Sequence, residues 1–358
     1  MTRAHSEFRE ALTRALTDGA NSFYGLENWD VDRFGPYPTP PPEPQIVEPD
    51  QLLSSMAGSL DGLTSVYGRL GDDASRAMLV EMLAYRLMGP HRVKLRVNTP
   101  EYWARREALQ SLVNQNETID INFLGMHLNR MSLAAIGYPI DLYFMPLGAM
   151  NTFVLKQYAY SRRRPAITAR PGDYVIDGGG CYGDTALFFA NEVGEHGRVF
   201  SFEFAPANLA LHHRNVDLNP ELSPRVEVVP NPLWQTSGEV FYFRPFGPAT
   251  QVTEGRTAAF DESVAATTVA IDDFVRDRGL PRVDFIKMDI EGAELKALKG
   301  AERTIRAFTP SLAISIYHSD SDFIDIPQYV DHLGLGYELF IDHCTIYGEE
   351  TVLFAARP

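Results

Sequence analysis

From Ala166 onward, short apolar runs of strand type alternate with helical ones. That alternation leaves little choice of architecture, because parallel strands need crossovers and the crossover helices must cover the sheet. Strands are expected at residues 174–176, 198–202, 226–229, 283–288 and 312–317, with helices after the first, second, fourth and fifth. Extra material at 239–244 and 267–271 reads as a hairpin or an edge strand. The chain finishes with strands at 337–341 and 351–355, joined by a turn around Tyr347 and Gly348. An antiparallel hairpin thus closes an otherwise parallel sheet.

The preceding half reads differently. Phe8, Leu12, Ala15 and Leu16 recur at helical spacing, and residues 35–44 hold six prolines, which fix an extended backbone. Leu52, Met56, Leu60, Leu63 and Tyr67 line one helical face, and a second helix is expected from Asp73 to Gly89-Pro90. Residues 93–160 mix short apolar runs with Gly and Pro and read as irregular α/β material. The expected division is an arm and Pro-rich linker (1–46), a helical or mixed region serving as lid or dimerisation element (47–150), and a catalytic domain (151–358).

Charge and cysteine usage narrow the function. Forty-seven acids stand against 32 bases, a net charge of -15, which repels a phosphate backbone and argues against nucleic acid as partner. Cys181 and Cys344 are the two cysteines, so cysteine supplies no disulfide framework or four-cysteine zinc site, and a reducing cytoplasm is expected. The first ten residues lack the apolar core of a signal peptide, and no uncharged run is long enough to span a bilayer.

Two motifs carry chemistry. In Asp177-Gly178-Gly179-Gly180-Cys181-Tyr182-Gly183-Asp184, glycines let a ligand approach the backbone. Gly178, Gly180 and Gly183 also satisfy the dinucleotide pattern, so an NAD-dependent oxidoreductase is the competing reading. Asp177 before the turn and Asp184 at the helix start suit a cationic ligand better than a pyrophosphate. Glu203, at the tip of the second strand, stands where an acid can hold ribose hydroxyls. Asn231, after the third strand, is a candidate for the base. The second motif, Asp289-Ile290-Glu291-Gly292-Ala293-Glu294, ends the apolar run 283–288. It sets three carboxylates at a strand's carboxyl end, where open α/β sheets place their chemistry.

The run from Lys287 to Ala301, read as K-x-D-x-E-G-x-E followed by L-K-G-A, with Asp177, Gly179 and Gly183 in a D-x-G-x-x-x-G loop, resembles the FkbM family of S-adenosylmethionine-dependent methyltransferases. The resemblance implies a class I methyltransferase (Rossmann-like) fold with a seven-stranded sheet and closing hairpin, preceded by a helical N-terminal region. It implies S-adenosylmethionine held by Asp177, Gly179, Gly183, Glu203, Asn231 and Tyr158, the last from a tyrosine segment before the sheet. It further implies O-methylation of a saccharide or secondary-metabolite hydroxyl, with Asp289 and Glu291 in the site. His318, at the next strand end, is the candidate general base if its pKa is ordinary. Asp289, Glu291, His318 and Asp320 form an alternative set of ligands for a divalent cation such as magnesium. Arg162-Arg163-Arg164 is a candidate contact for an anionic acceptor. A small-molecule or saccharide acceptor and a homo-oligomer through the N-terminal region are the expected partners. A cofactor-binding scaffold without chemistry is the non-enzymatic alternative.

Overall fold

The computed structural model describes residues 3–31, 35–38, 43, 46–121, 127–243, 252–254 and 264–358, with backbone only at 243, 252–254 and 264. Residues 39–42 and 44 of the Pro-rich stretch therefore lie outside the described residues. Helices α1 (Arg3–Ala20), α2 (Pro49–Ser55), α3 (Leu60–Arg69) and α4 (Asp73–Met88) come first. The expected single face from Leu52 to Tyr67 is two helices, interrupted at 56–59, where Gly58 weakens helical continuity. Helix α4 matches expectation: the Asp72 side chain caps Ser75 N at 2.8 Å, and Gly89, at φ +75°, ends the helix.

Residues 93–160 are more regular than their sequence. They contain α5 (Pro100–Gln110), an antiparallel sheet of β1 (Val113–Asp120), β2 (His127–Ser132) and β3 (Asp141–Phe144), and the short α6 (Pro146–Ala149). Strand β1 escaped notice because its sequence, VNQNETID, is polar and mostly solvent-facing.

The alternating half follows its pattern. It runs β4 (Tyr174–Gly178), α7 (Asp184–Val193), β5 (Arg198–Phe202), α8 (Pro206–Asp217) and β6 (Val226–Val229). After the insertion come α9 (Ile271–Arg278), β10 (Phe285–Met288), α10 (Glu294–Lys299), α11 (Glu302–Phe308), β11 (Ser311–Ser315), α12 (Asp322–His332), β12 (Glu338–His343) and β13 (Thr351–Ala356). The insertion is a separate small sheet in the order β8-β7-β9, formed by β7 (Val240–Phe243), β8 (Val252–Glu254) and β9 (Val264–Thr267). The strand expected at 267–271 is thus displaced toward the N-terminus. Ile271 instead opens α9, with Asp272 and Asp273 in a first turn that favours acids.

The main sheet has seven strands in the order β12-β13-β11-β10-β4-β5-β6, parallel from β11 to β6 and closed by the antiparallel β12–β13 pair. Its two faces belong to different apolar clusters. Ile176, Ile286, Met288 and Ile314 share one with Phe8, Leu12, Leu16, Leu79 and Leu83 of the N-terminal helices. Val175, Phe285 and Ala313 share the other with α7 and the β1–β3 sheet. Helix α1, expected in an arm, is therefore part of the core. The N-terminal helices also cover the outer edge of β12: Gly71 N donates to Leu339 O at 2.7 Å and Ile341 N to Ser75 Oγ at 3.0 Å. An otherwise open edge strand is thereby blunted.

Candidate active site

The glycine turn follows β4 at the centre of the sheet. Gly179, at φ +80°, passes so close to β10's extension that a Cβ there would lie 1.8 Å from the Asp289 carbonyl oxygen. Gly183, at φ +84°, caps α7. The amides of Gly179 and Gly180 both donate to Phe202 O, at 3.0 and 2.9 Å.

Asp177 differs from expectation. Parallel register sets Lys287 and Ser201 on either side of it, and the common pleat turns all three side chains to one face. Its fully buried carboxylate accepts from Ser201 Oγ at 2.7 Å and Thr185 Oγ1 at 3.0 Å and pairs with Lys287 Nζ at 3.2 Å. It braces the turn from behind and does not line the pocket. Asp184 is likewise turned inward, accepting from Thr152 Oγ1 at 2.7 Å, and burial pushes its pKa up to about 6.

A pocket opens where the parallel strands end, lined among others by Gly179, Glu203, Asn208, Asn231, Leu233 and Asp289. Glu203 sits there 6% exposed. Its Oε1 accepts from the amides of Phe204 and Ala205, at 2.6 and 2.7 Å, and its Oε2 from Asn208 at 3.1 Å. Burial raises its pKa, and those donors pull against the shift. Asn231 donates to Thr267 O at 2.9 Å, which fixes its amide at the pocket wall and leaves its side-chain oxygen free to accept.

Beyond Asp289 the site becomes acidic and aromatic. Tyr158 donates to Asp289 Oδ2 at 2.8 Å, as does Tyr317 to Oδ1 at 3.0 Å. Burial and the Asp289 charge hold both phenols well above their ordinary pKa, so they remain donors. Glu291 lies in left-handed backbone, φ +56°, ahead of Gly292 at φ +92°. That tight turn brings Glu291 to the pocket. Burial, then the Asp289 charge, push its pKa up to about 7, with His318 pulling the other way. Glu350, from the closing hairpin, accepts from Gln157 at 2.8 Å, and burial and Asp289 raise its pKa.

His318 is not a base of ordinary pKa. Its Nδ1 lies 3.2 Å from Glu294, and its Nε2 lies 3.4 Å from Asp289 and 3.8 Å from Glu291. Burial opposes charge on the imidazole, but those three carboxylates outweigh it and push the pKa up to about 9. Near neutrality His318 is a cation holding acids together. Asp320 does not join them. It is exposed and paired with Arg86 at 2.7 Å. Fully buried Glu294 takes its place, accepting from Ile290 N at 2.7 Å, and Asp289, Glu294 and His318 bring three donor atoms within 4.8 Å of one another. A proton on His318 and a divalent cation would compete for this set. The arginine run stands elsewhere: Arg162 pairs with Asp342 and Arg163 with Glu338 on β12.

The His318 shift makes stability depend on pH. A folded pKa above the ordinary 6.5 gives stabilisation that is complete below about 6.5 and lost as pH rises through about 9. The loss amounts to about 3 kcal/mol. Asp289, Glu291 and Glu294 lie against the imidazole, with Asp322 and Glu350 in its field, and the raised pKa values of Asp322, Glu291 and Glu350, about 6, 7 and 8, add a decline that runs from acid pH to about 8 and overlaps that of His318. Thermal unfolding midpoints should fall between pH 6.5 and 9.5, less steeply in His318→Gln. Equal slopes would remove His318 as the source.

Tyr317 and Glu350 were not singled out from sequence, and Lys287 and Glu294 entered there as members of the K-x-D-x-E-G-x-E motif without a partner or role of their own. Of these, Lys287 had a signal: a cation between Ile286 and Met288 in a strand buried on both faces must be paired.

Strand order, closing hairpin and a pocket at the parallel strand ends define a class I methyltransferase fold. Residues 174–339 match the Methyltransferase FkbM domain. The matched residues carry the glycine turn, Glu203, Asn231 and the Asp289 motif, so this part of the chain is similar to the FkbM methyltransferase domain. The chain is 28% identical to Methyltransferase sdnD of Sordaria araneosa, over 36% of this chain and 60% of that protein. The crystal structure of Methyltransferase FkbM from Methylobacillus flagellatus KT superimposes with a TM-score of 0.51 at 21% identity, covering 84% of this chain and 60% of that one. The chain spans 60% of the length of each of these relatives. Among the described residues, no helix is long and apolar enough to cross a membrane.

Proposed function

We infer that the protein is an S-adenosylmethionine-dependent O-methyltransferase acting on a hydroxyl of a saccharide or secondary metabolite. The observation that carries this reading is one continuous pocket wall, in which Gly179 and Glu203 stand beside Asp289 and Glu291. A turn without side chains next to a buried acid suits an adenosine, and neighbouring carboxylates suit a sulfonium cation. The bound cofactor supplies an electrophilic methyl group. Glu203 would hold the ribose hydroxyls, Asn231 the base, and Gly179 the backbone wall. The same acids disfavour an NAD-dependent oxidoreductase, because a pyrophosphate would lie against Asp289 and Glu291.

Chemistry at an oxygen nucleophile needs a proton acceptor. Glu291 fits, since it lines the pocket with a pKa near 7. Asp289 orients the acceptor side through Tyr158 and Tyr317, and the His318 cation keeps these carboxylates together.

Transfer of labelled methyl from S-adenosylmethionine to a panel of sugars and hydroxylated metabolites tests the reading. Base-stable ether methylation is expected, lost in Glu291→Gln. Labelled amines alone would replace O-methylation by N-methylation. A parallel assay with EDTA and added Mg²⁺ reads any metal requirement. Glu203→Ala is expected to weaken S-adenosylhomocysteine binding about tenfold or more by titration calorimetry. Unchanged affinity would remove Glu203 from the cofactor pocket.

A further inference from the structure

We propose that Lys287 is the positioning residue of the cofactor turn, the group that holds the Gly178–Gly179 backbone in its binding shape. The inference rests on the methyltransferase reading for the identity of the ligand. It goes beyond that reading in assigning a role to a residue outside the pocket.

Lys287 sits in β10, in direct register with Asp177 of β4, and is 1% exposed. An ammonium so placed loses its hydration and must find three acceptors for its three N–H groups. It has three: Gly179 O at 2.7 Å, Gly178 O at 2.9 Å and Asp177 Oδ1 at 3.2 Å. The Tyr158 ring lies 5.1 Å from the same nitrogen. An apolar side chain here would pack in the sheet equally well. It would take from the Gly179 carbonyl its lysine donor, leave the Gly178 carbonyl with Asp289 N alone at 3.1 Å, and leave the buried Asp177 charge with two hydroxyl donors and no cation.

The turn is suspended between two anchors. The carbonyls of Gly178 and Gly179 point to Lys287, and the amides of Gly179 and Gly180 point the other way, to Phe202 O. Close contact between Gly179 and the Asp289 backbone leaves no room for drift in one direction, since even a methyl would overlap it. Lys287 prevents drift in the other. Thr185 and Ser201 lock Asp177, so the lysine pulls against a fixed acid. The wall that Gly179 lends to the pocket is therefore set from below the floor of the site.

The test separates positioning from general stability. Lys287→Met alone strands the Asp177 charge and can fail to fold, so the neutral pair Lys287→Met/Asp177→Asn is the informative variant. Its affinity for S-adenosylhomocysteine is measured by calorimetry well below its unfolding midpoint. Phe8→Ala, which opens the core far from the pocket, serves as a control lowering stability without touching the turn. The expected result is a loss of affinity of about tenfold or more in the double variant, with wild-type affinity in Phe8→Ala. Wild-type affinity in a folded double variant would overturn the proposal. Failure of the wild type to bind S-adenosylhomocysteine would overturn the cofactor assignment, and this proposal with it, so the two failures are distinguishable.

Discussion

Gly179→Ala should lower unfolding stability by about 3 kcal/mol and abolish detectable S-adenosylhomocysteine binding. Two effects combine: an L-residue at φ +80° costs about 1–2 kcal/mol. A Cβ placed 1.8 Å from the Asp289 carbonyl forces the turn and β10 apart, a displacement typically costing about 1–3 kcal/mol. The comparison that isolates the clash is Gly194→Ala. That glycine also has positive φ, +65°, but a Cβ there meets nothing within 4 Å. Only the backbone cost should appear, with cofactor affinity intact. Urea unfolding of both variants reads the difference, and equal losses would mean that close approach of turn and strand is not what requires glycine at 179.

Lys287→Met should cost about 3–5 kcal/mol, because removing one partner of a buried pair leaves the other charged and unsolvated. Asp177 is fully buried, and Ser201 and Thr185 cannot neutralise it. Adding Asp177→Asn should recover much of the loss, giving a double-mutant coupling well above the few tenths seen for independent sites. Chemical denaturation of the two single variants and the double variant provides the cycle. A single-variant loss below about 1 kcal/mol would show that the pair does not brace the sheet as its geometry implies.

The parallel half was legible because each strand there is a buried apolar run bounded by turn residues. Arg198–Phe202 and Val226–Val229 stand where their sequence places them. The same logic missed β1, whose polar face looks to solvent and whose pairing with β2 comes from backbone hydrogen bonds. It also gave the N-terminal residues too small a role, because helical spacing in Phe8, Leu12 and Leu16 says that a face is buried but not against what.

Site residues divide in a similar way. Glu203 and Asn231 could be placed by position at strand ends, and the structure sets both on the pocket wall. Asp177 could be placed but not oriented, since only strand register reveals that Lys287 stands beside it. The state of His318 depends on Glu294 at 3.2 Å, a contact made by the turn Glu291-Gly292 folding back, and no spacing rule gives that distance. Tyr317 reaches Asp289 because β11 lies beside β10, and Glu350 enters the field of Asp289 because the closing hairpin returns beside β11.

The most direct test of the central claim is thermal unfolding of the wild-type protein with S-adenosylhomocysteine, beside NAD and NADP at equal concentrations. A ligand that binds only the native state raises the midpoint by mass action. A rise with S-adenosylhomocysteine alone is the predicted result, whereas a rise with NAD or NADP and none with S-adenosylhomocysteine would contradict the account.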